Sequence, residues 1–212
     1  MHRRIGKRNR ERVERATVRL VERGGHGVLV PGGFILTATH CIDWSGTGGM
    51  VLGDVYPTGI ETASGVKFRV GVYACDPVAD IAVLGELENQ ECSDDADAFQ
   101  GWCEQVEPVA LCTSDIETGQ PCPVFVYTHK HEWIAGSVTR FGALVQSSVA
   151  LCAEDIESGT SGSPVVTGDG LLLGIVSNTS SHPAGASCGG MPVPYMSLPH
   201  WVLARTGLRL HE

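Results

Sequence analysis

GVLVPGGFILTATHC, residues 27–41, is the stretch on which the fold turns. Two apolar runs flank a Pro-Gly-Gly break. The break supplies turn residues and both flanks are β-branched or large and apolar, so the stretch reads as a β-hairpin. Its second arm runs into Thr37, Thr39 and His40. The hairpin therefore delivers a titratable ring to a strand end. A lone histidine in such a place is more often a surface or satisfied structural residue.

The same pattern recurs along the chain. KFRVGVYA (67–74), IAVLG (81–85), PVALC (108–112), PVFVYT (123–128), WIAGSVTR (133–140), ALVQSSVALC (143–152), SPVVTG (163–168) and LLLGIVS (171–177) are strand-like runs separated by turn residues. With 27 glycines and 11 prolines in 212 residues, the pattern predicts an all-β sandwich or barrel. A short C-terminal helix is expected within SLPHWVLARTGL (197–208), started by Ser197 with Pro199 near its first turn. Residues 86–107 carry eight acids and no Lys or Arg, and read as an exposed acidic connector. The expected organisation is a basic arm (1–15), a first β unit (16–85), the connector (86–107) and a second β unit with the helix (108–212).

Charge is unevenly spread. Residues 1–23 hold nine Arg/Lys against three Glu, a balance of +6, which leaves −15 for the rest of a chain whose total is −9. An acidic body argues against general nucleic-acid binding, so nucleic acid is expected at most through the basic arm. The arm itself reads as a disordered or short helical start running into a strand. Solvated tail and docking element for an acidic partner both stay open. No run reaches the length of a membrane span, and no apolar h-region follows Met1. With Met1 as the native start, a cytoplasmic location is expected. The eight cysteines are then expected to be mostly free thiols, and without a C-x2-C pair no zinc site is expected.

Two further stretches join LTATHC (36–41). ADIAVL (79–84) places Asp80 before a strand, and SGTSGSP (158–164) holds Ser158, Ser161 and Ser163 among glycines. Each is weak alone. In the order His…Asp…Ser on an all-β background they are no longer independent. TATHC, DIAVL and GTSGSP resemble the TAAHC, DIAL and GDSGGP motifs of the trypsin/chymotrypsin-like serine peptidases, over about residues 16–206. The pattern is nearer to the bacterial high-temperature-requirement-type proteases than to animal zymogens, because Thr160 stands where the zymogens have aspartate. Pro31 stands where the family often has a cysteine partner for Cys41.

The resemblance implies two six-stranded antiparallel β-barrels and a serine endopeptidase that forms an acyl-enzyme, with no metal or organic cofactor. A serine hydroxyl needs a neighbouring base. His40 is implied as that base, Asp80 as its orienting carboxylate and Ser161 as the nucleophile, with the amides of Gly159 and Ser161 as the oxyanion hole. Ser163 and Ser158 fall outside the nucleophile position. Asp155, six residues before Ser161, sits where a primary specificity pocket would select Arg or Lys. It reads equally well as a solvated turn acid. Ser177, Asn178, Thr179 and Gly190 are the implied pocket walls. The partners expected are a protein or peptide substrate and, where activity is gated, a regulatory protein. A catalytically silent peptide-binding pseudoprotease on the same fold is the alternative from another class.

Overall fold

The computed structural model describes residues 4–42, 57–87, 93–140, 148–153, 156–181 and 187–207. The arm forms helix α1 (Lys7–Ala16) and runs into strand β1 (Thr17–Leu20). Val13 and Ala16 give this charged helix a buried edge, and the Thr17 hydroxyl closes its last turn on the Val13 carbonyl at 2.7 Å. The helix is not a free tail. Asn9 and Arg12 donate to the carbonyls of Asp169 and Gly170 at 2.9 and 2.7 Å, and Arg10 lies over the Trp133 ring.

The hairpin expected from residues 27–41 is present as β2 (His26–Val30) and β3 (Phe34–Thr37). With β4 (Pro57–Thr62), β5 (Lys67–Asp76) and β6 (Ile81–Gly85) these strands close an antiparallel barrel in the order β1-β2-β3-β6-β5-β4. Every residue of β2, β3 and β6 is buried. That is why these strands read as continuous apolar runs and not as alternation: both faces are covered.

The second unit is β7 (Cys122–Tyr127), β8 (Trp133–Thr139), β9 (Ser148–Ala153), β10 (Pro164–Val166), β11 (Leu172–Ile175), β12 (Asn178–Ser181) and β13 (Ser187–Pro192). Its order is β11-β10-β7-β8-β9-β13-β12. The expectation of two six-stranded barrels therefore holds for the first unit. The second has seven strands and no closure among the described residues. Its edge strands β11 and β12 are separated by Val176 and Ser177, whose hydrogen bonds go elsewhere. Val176 exchanges backbone bonds with Gly162 and Ser163, and Ser177 donates to Asp80.

Three segments differ from expectation. The acidic connector contains helix α2 (Ser93–Gln105), with Phe99 and Trp102 buried against Phe68 at centroid distances of 6.1 Å each. Its acids stabilise the helix start, where Asp94 and Asp95 lie in the first turn, and Asp95 pairs with Arg69. PVALC forms a seam and not a strand. Val109 N–H bonds to the Leu29 carbonyl of the barrel, while Ala110 and Cys112 exchange bonds with Leu172 of β11. At the C-terminus, α3 (Pro194–Ser197) precedes α4 (His200–Arg205), and Pro199, not Ser197, stands at the start of α4. One apolar core runs from the barrel into Phe125, Val166, Leu172, Val202 and Leu203, tying barrel, second sheet and terminal helix together, and a second core around Val124, Val138, Leu151 and Met191 lies within the second sheet. Cys41, Cys75, Cys103, Cys112 and Cys122 are free thiols. Among the described residues no helix is long and apolar enough to cross a membrane.

Candidate active site

Strand β3 ends in a 3-10 turn, Thr39–Cys41, that carries His40. The facing turn before β6 carries Asp80 at φ 55°, a left-handed backbone that aspartate tolerates better than most residues. Asp76 builds that turn: its Oδ1 accepts the amides of Val78 and Ala79 at 2.9 and 3.0 Å. Two contacts then bind the turns together. Thr39 N–H donates to the Asp80 carbonyl at 3.4 Å, and the Thr39 hydroxyl donates to the Asp76 carbonyl at 3.1 Å.

The result is a fixed His–Asp pair. His40 Nδ1 lies 2.8 Å from Asp80 Oδ2, and His40 N–H donates to Asp80 Oδ1 at 3.1 Å. Ser177 Oγ also donates to Asp80 Oδ2. Burial acts to raise the Asp80 carboxyl, but the hydrogen bonds from His40, Ser177 and the His40 amide outweigh it and hold the group below its usual range. His40 is raised above its ordinary 6.5, first by the hydrogen bond to Asp80 and next by its contact with Cys41. With Nδ1 committed to a carboxylate, the other ring nitrogen is the proton acceptor of the neutral imidazole.

Ser161 sits in a loop whose backbone bonds are unevenly assigned. The amides of Thr160, Gly162 and Ser163 donate to Glu157, Val176 and Thr160 carbonyls at 3.2, 2.7 and 3.0 Å. Among the described residues, the amides of Gly159 and Ser161 donate to no protein group. Gly159 has φ 95° and Gly162 φ 76°. A Cβ at Gly162 would stand 1.9 Å from the His26 carbonyl oxygen, so glycine is required there. His26 N–H holds the Ser161 carbonyl at 2.8 Å. A Cβ at Gly25 would meet both the Cys41 sulfur, at 2.5 Å, and the Ser161 carbonyl oxygen, at 2.9 Å. Ser161 is thus packed beside the residue that follows His40. Among the described residues no hydrogen bond joins Ser161 Oγ to His40; such bonds are often long until substrate closes the site.

The remaining expected residues fall out as follows. Ser163 is fully buried and its hydroxyl has no partner among the described residues, and Ser158 is exposed. Asp155 lies outside the described residues. Ser177, expected as a pocket wall, turns its hydroxyl to Asp80. Asn178 and Thr179 lie on β12 opposite Gly190 and Gly189 of β13, and a Cβ at Gly190 would meet nothing within 4 Å.

Sequence reasoning missed a histidine cluster behind the loop. His26, His129, His131 and Gly159 line a cavity of about 380 Å³ with Tyr127, Arg19 and Glu61. His26 is lowered to about 4, chiefly by burial, against the pull of the Gly159 carbonyl, and further by the charges of His129, His131 and Arg19. The HKH run at 129–131 matches no motif or period, so only its closeness in sequence to a strand end marked it.

A family model described as Trypsin-like peptidase domain matches residues 25–175. Comparison with curated proteins returns no match. Among similar solved structures, the Rv3671c protease in an inactive form has a TM-score of 0.57 at 17% identity, covering 96% of this chain and 95% of that one. A serine-to-alanine mutant of Rv3671c from M. tuberculosis H37Rv, also inactive, has a TM-score of 0.56 at 16% identity, covering 89% and 86%. The serine endoprotease from Yersinia pestis has a TM-score of 0.57 at 18% identity, covering 87% of this chain and 61% of that one. At these identities the likeness is one of fold.

Proposed function

As a member of the trypsin-like peptidase domain family, this chain is a serine-type endopeptidase, and we propose that it cleaves peptide bonds through an acyl-enzyme on Ser161. Ser161 Oγ attacks the scissile carbonyl carbon as His40 takes its proton. The carbonyl oxygen becomes an oxyanion, bound by the amides of Gly159 and Ser161. His40 then gives its proton to the leaving amine, and the C–N bond breaks. Water, deprotonated by His40, attacks the ester, which releases the acid and returns the proton to Ser161. Asp80 holds the ring in the useful tautomer and stabilises the imidazolium.

The observation that carries this reading is the His40–Asp80 pair at 2.8 Å, with a second carboxylate oxygen held by the same residue's amide. The amides of Gly159 and Ser161, which donate to no group among the described residues, support it. The substrate is a protein or peptide, bound in the cleft between residues 16–85 and 108–212.

A fluorophosphonate probe tests the assignment. Wild type should label and Ser161→Ala should not, while Ser163→Ala labels. Labelling that survives in Ser161→Ala sinks it. Cleavage after Arg or Lys belongs to the same proposal through Asp155. A panel of fluorogenic peptides should show that preference, and Asp155→Asn should weaken it; an even profile across the panel rejects the pocket role.

A further inference from the structure

The histidine cluster bears on the step that the oxyanion hole must perform. Thr160 lies between the two amides proposed as oxyanion donors, and its side chain is fully buried. Its hydroxyl lies 3.0 Å from His129 Nδ1. The same imidazole packs on the Gly159 α-carbon, where a Cβ would stand 3.5 Å from the His129 Cγ and 3.6 Å from its Cδ2. His26, on β2 of the opposite unit, lines the same cavity as Gly159 and His129. The Gly159–Thr160 peptide is thus held by the His129 ring from the β7–β8 turn.

That turn is itself built to hold His129. Thr128 N–H donates to the Glu132 carbonyl at 2.9 Å and His131 N–H to the Thr128 carbonyl at 3.0 Å. The Tyr127 hydroxyl lies 3.0 Å from His131 Nδ1. Lys130 pairs with Glu157 at 2.7 Å, a second clip between the turn and the loop. Beyond the loop is the cavity of about 380 Å³, so without the clip the loop has space to relax into. A rotation about Thr160 re-aims the Ser161 amide, because that amide follows directly in the chain. An oxyanion donor acts only when it is aimed before charge develops.

We propose that His129 is a positioning residue: through Thr160 it holds the amides of Gly159 and Ser161 in the orientation that binds the oxyanion. The proposal rests on the reading of Ser161 as nucleophile. Thr160 stands in the loop where the zymogen-type enzymes that the sequence resembles have an aspartate, and its partner is the His129 ring.

Steady-state kinetics on the full chain test it. His129→Leu and Thr160→Val should each lower kcat about 10²-fold, with KM within about twofold, because the bond matters in the transition state and not for substrate binding. His129→Asn, with an amide group near the position of Nδ1, and Thr160→Ser should recover activity to within about tenfold of wild type. The double variant His129→Leu/Thr160→Val should lose no more than either single, as two halves of one interaction do. A kcat in His129→Leu within about threefold of wild type, or multiplied losses in the double variant, overturns the proposal. Hydrogen exchange read on a Ser161→Ala background separates this from a failure of the nucleophile assignment. There His129→Leu should speed exchange at residues 158–162 whether or not Ser161 is the nucleophile, and unchanged exchange overturns the clip by itself.

Discussion

His40 and Asp80 hang from one closed barrel; Ser161 hangs from a loop between β9 and β10 of the second sheet. The first two follow β3 and precede β6, which pair directly at Ile35–Leu84, Leu36–Val83 and Thr37–Ala82. Their geometry is inherited from a ladder of backbone bonds in a buried core. The Ser161 loop has no such ladder. It is held by His26 from the barrel, Val176 from the strand connection, and His129 from the β7–β8 turn. The proposed base pair is thus set by the fold and the proposed nucleophile by a few named contacts. Damage at the first should act through chemistry, and damage at the second through shape.

The largest chemical effect short of removing the nucleophile is expected at Asp80. Asp80→Asn should lower kcat by about 10³–10⁴ with the fold kept, since the ring loses its orienting carboxylate. The pH profile gives the sign. In the proposed mechanism His40 must be neutral to act as base, and the hydrogen bond to Asp80 is the largest cause of its raised pKa. The acid limb of kcat/KM in wild type should therefore have its midpoint above 6.5, and Asp80→Asn should move it downward. The same raised pKa adds stability that is fully present below pH 6.5 and is lost as pH rises through the folded value. An acid limb that stays in place would detach His40 from Asp80.

On the loop side, Gly162→Ala should fail by shape. The new Cβ meets the His26 carbonyl oxygen at 1.9 Å and the Thr37 hydroxyl at 2.7 Å, in a backbone with φ 76°. The expected cost is about 3 kcal/mol or more, read as a drop in thermal midpoint together with lost fluorophosphonate labelling. Normal stability with lost labelling would show that the loop moves as a unit and that the barrel does not feel it.

His26 links the two regions, and its titration offers a gentler break. Its folded pKa of about 4 lies below the ordinary 6.5. As pH falls from 6.5 towards 4, the unfolded chain takes up a proton that the folded chain refuses, so stability falls through that window and is fully present above it. The size is about 3 kcal/mol at the acid end. Urea unfolding at pH 7 and pH 4.5 should show a smaller loss in His26→Gln than in wild type; equal losses would mean that His26 is not the group that titrates.

This contrast also explains what was legible in the sequence. The hairpin 27–41 and IAVLG were readable because a ladder in a buried core writes itself as apolar runs with turn residues between. His40 and Asp80 came with them. Helix α2 was hidden because its acids outnumber the two aromatics, Phe99 and Trp102, that dock it. That the Ser177 hydroxyl turns to a carboxylate 97 residues away was hidden, because sequence order does not record such a contact. The His129–Thr160 bond spans 31 residues and joins a turn to a loop, so no period or motif records it.

The smallest expected effect is at Ser177, and it asks whether the two regions are separate at all. Asp80 receives the His40 ring, the His40 amide and the Ser177 hydroxyl. Ser177→Ala removes one of these donors and leaves the pair to His40 intact, so kcat should fall only about tenfold, the scale of one hydrogen bond to a charged group. With one donor gone, the Asp80 carboxyl should titrate higher than in wild type. Ser177 also follows Val176, whose carbonyl holds the Gly162 amide at 2.7 Å. If hydrogen exchange at residues 158–162 is unchanged in Ser177→Ala, the substitution acts through Asp80 alone and the base pair and the nucleophile loop are set independently. If exchange there quickens, Ser177 is the strut through which the second sheet feels the barrel, and the two regions position one another.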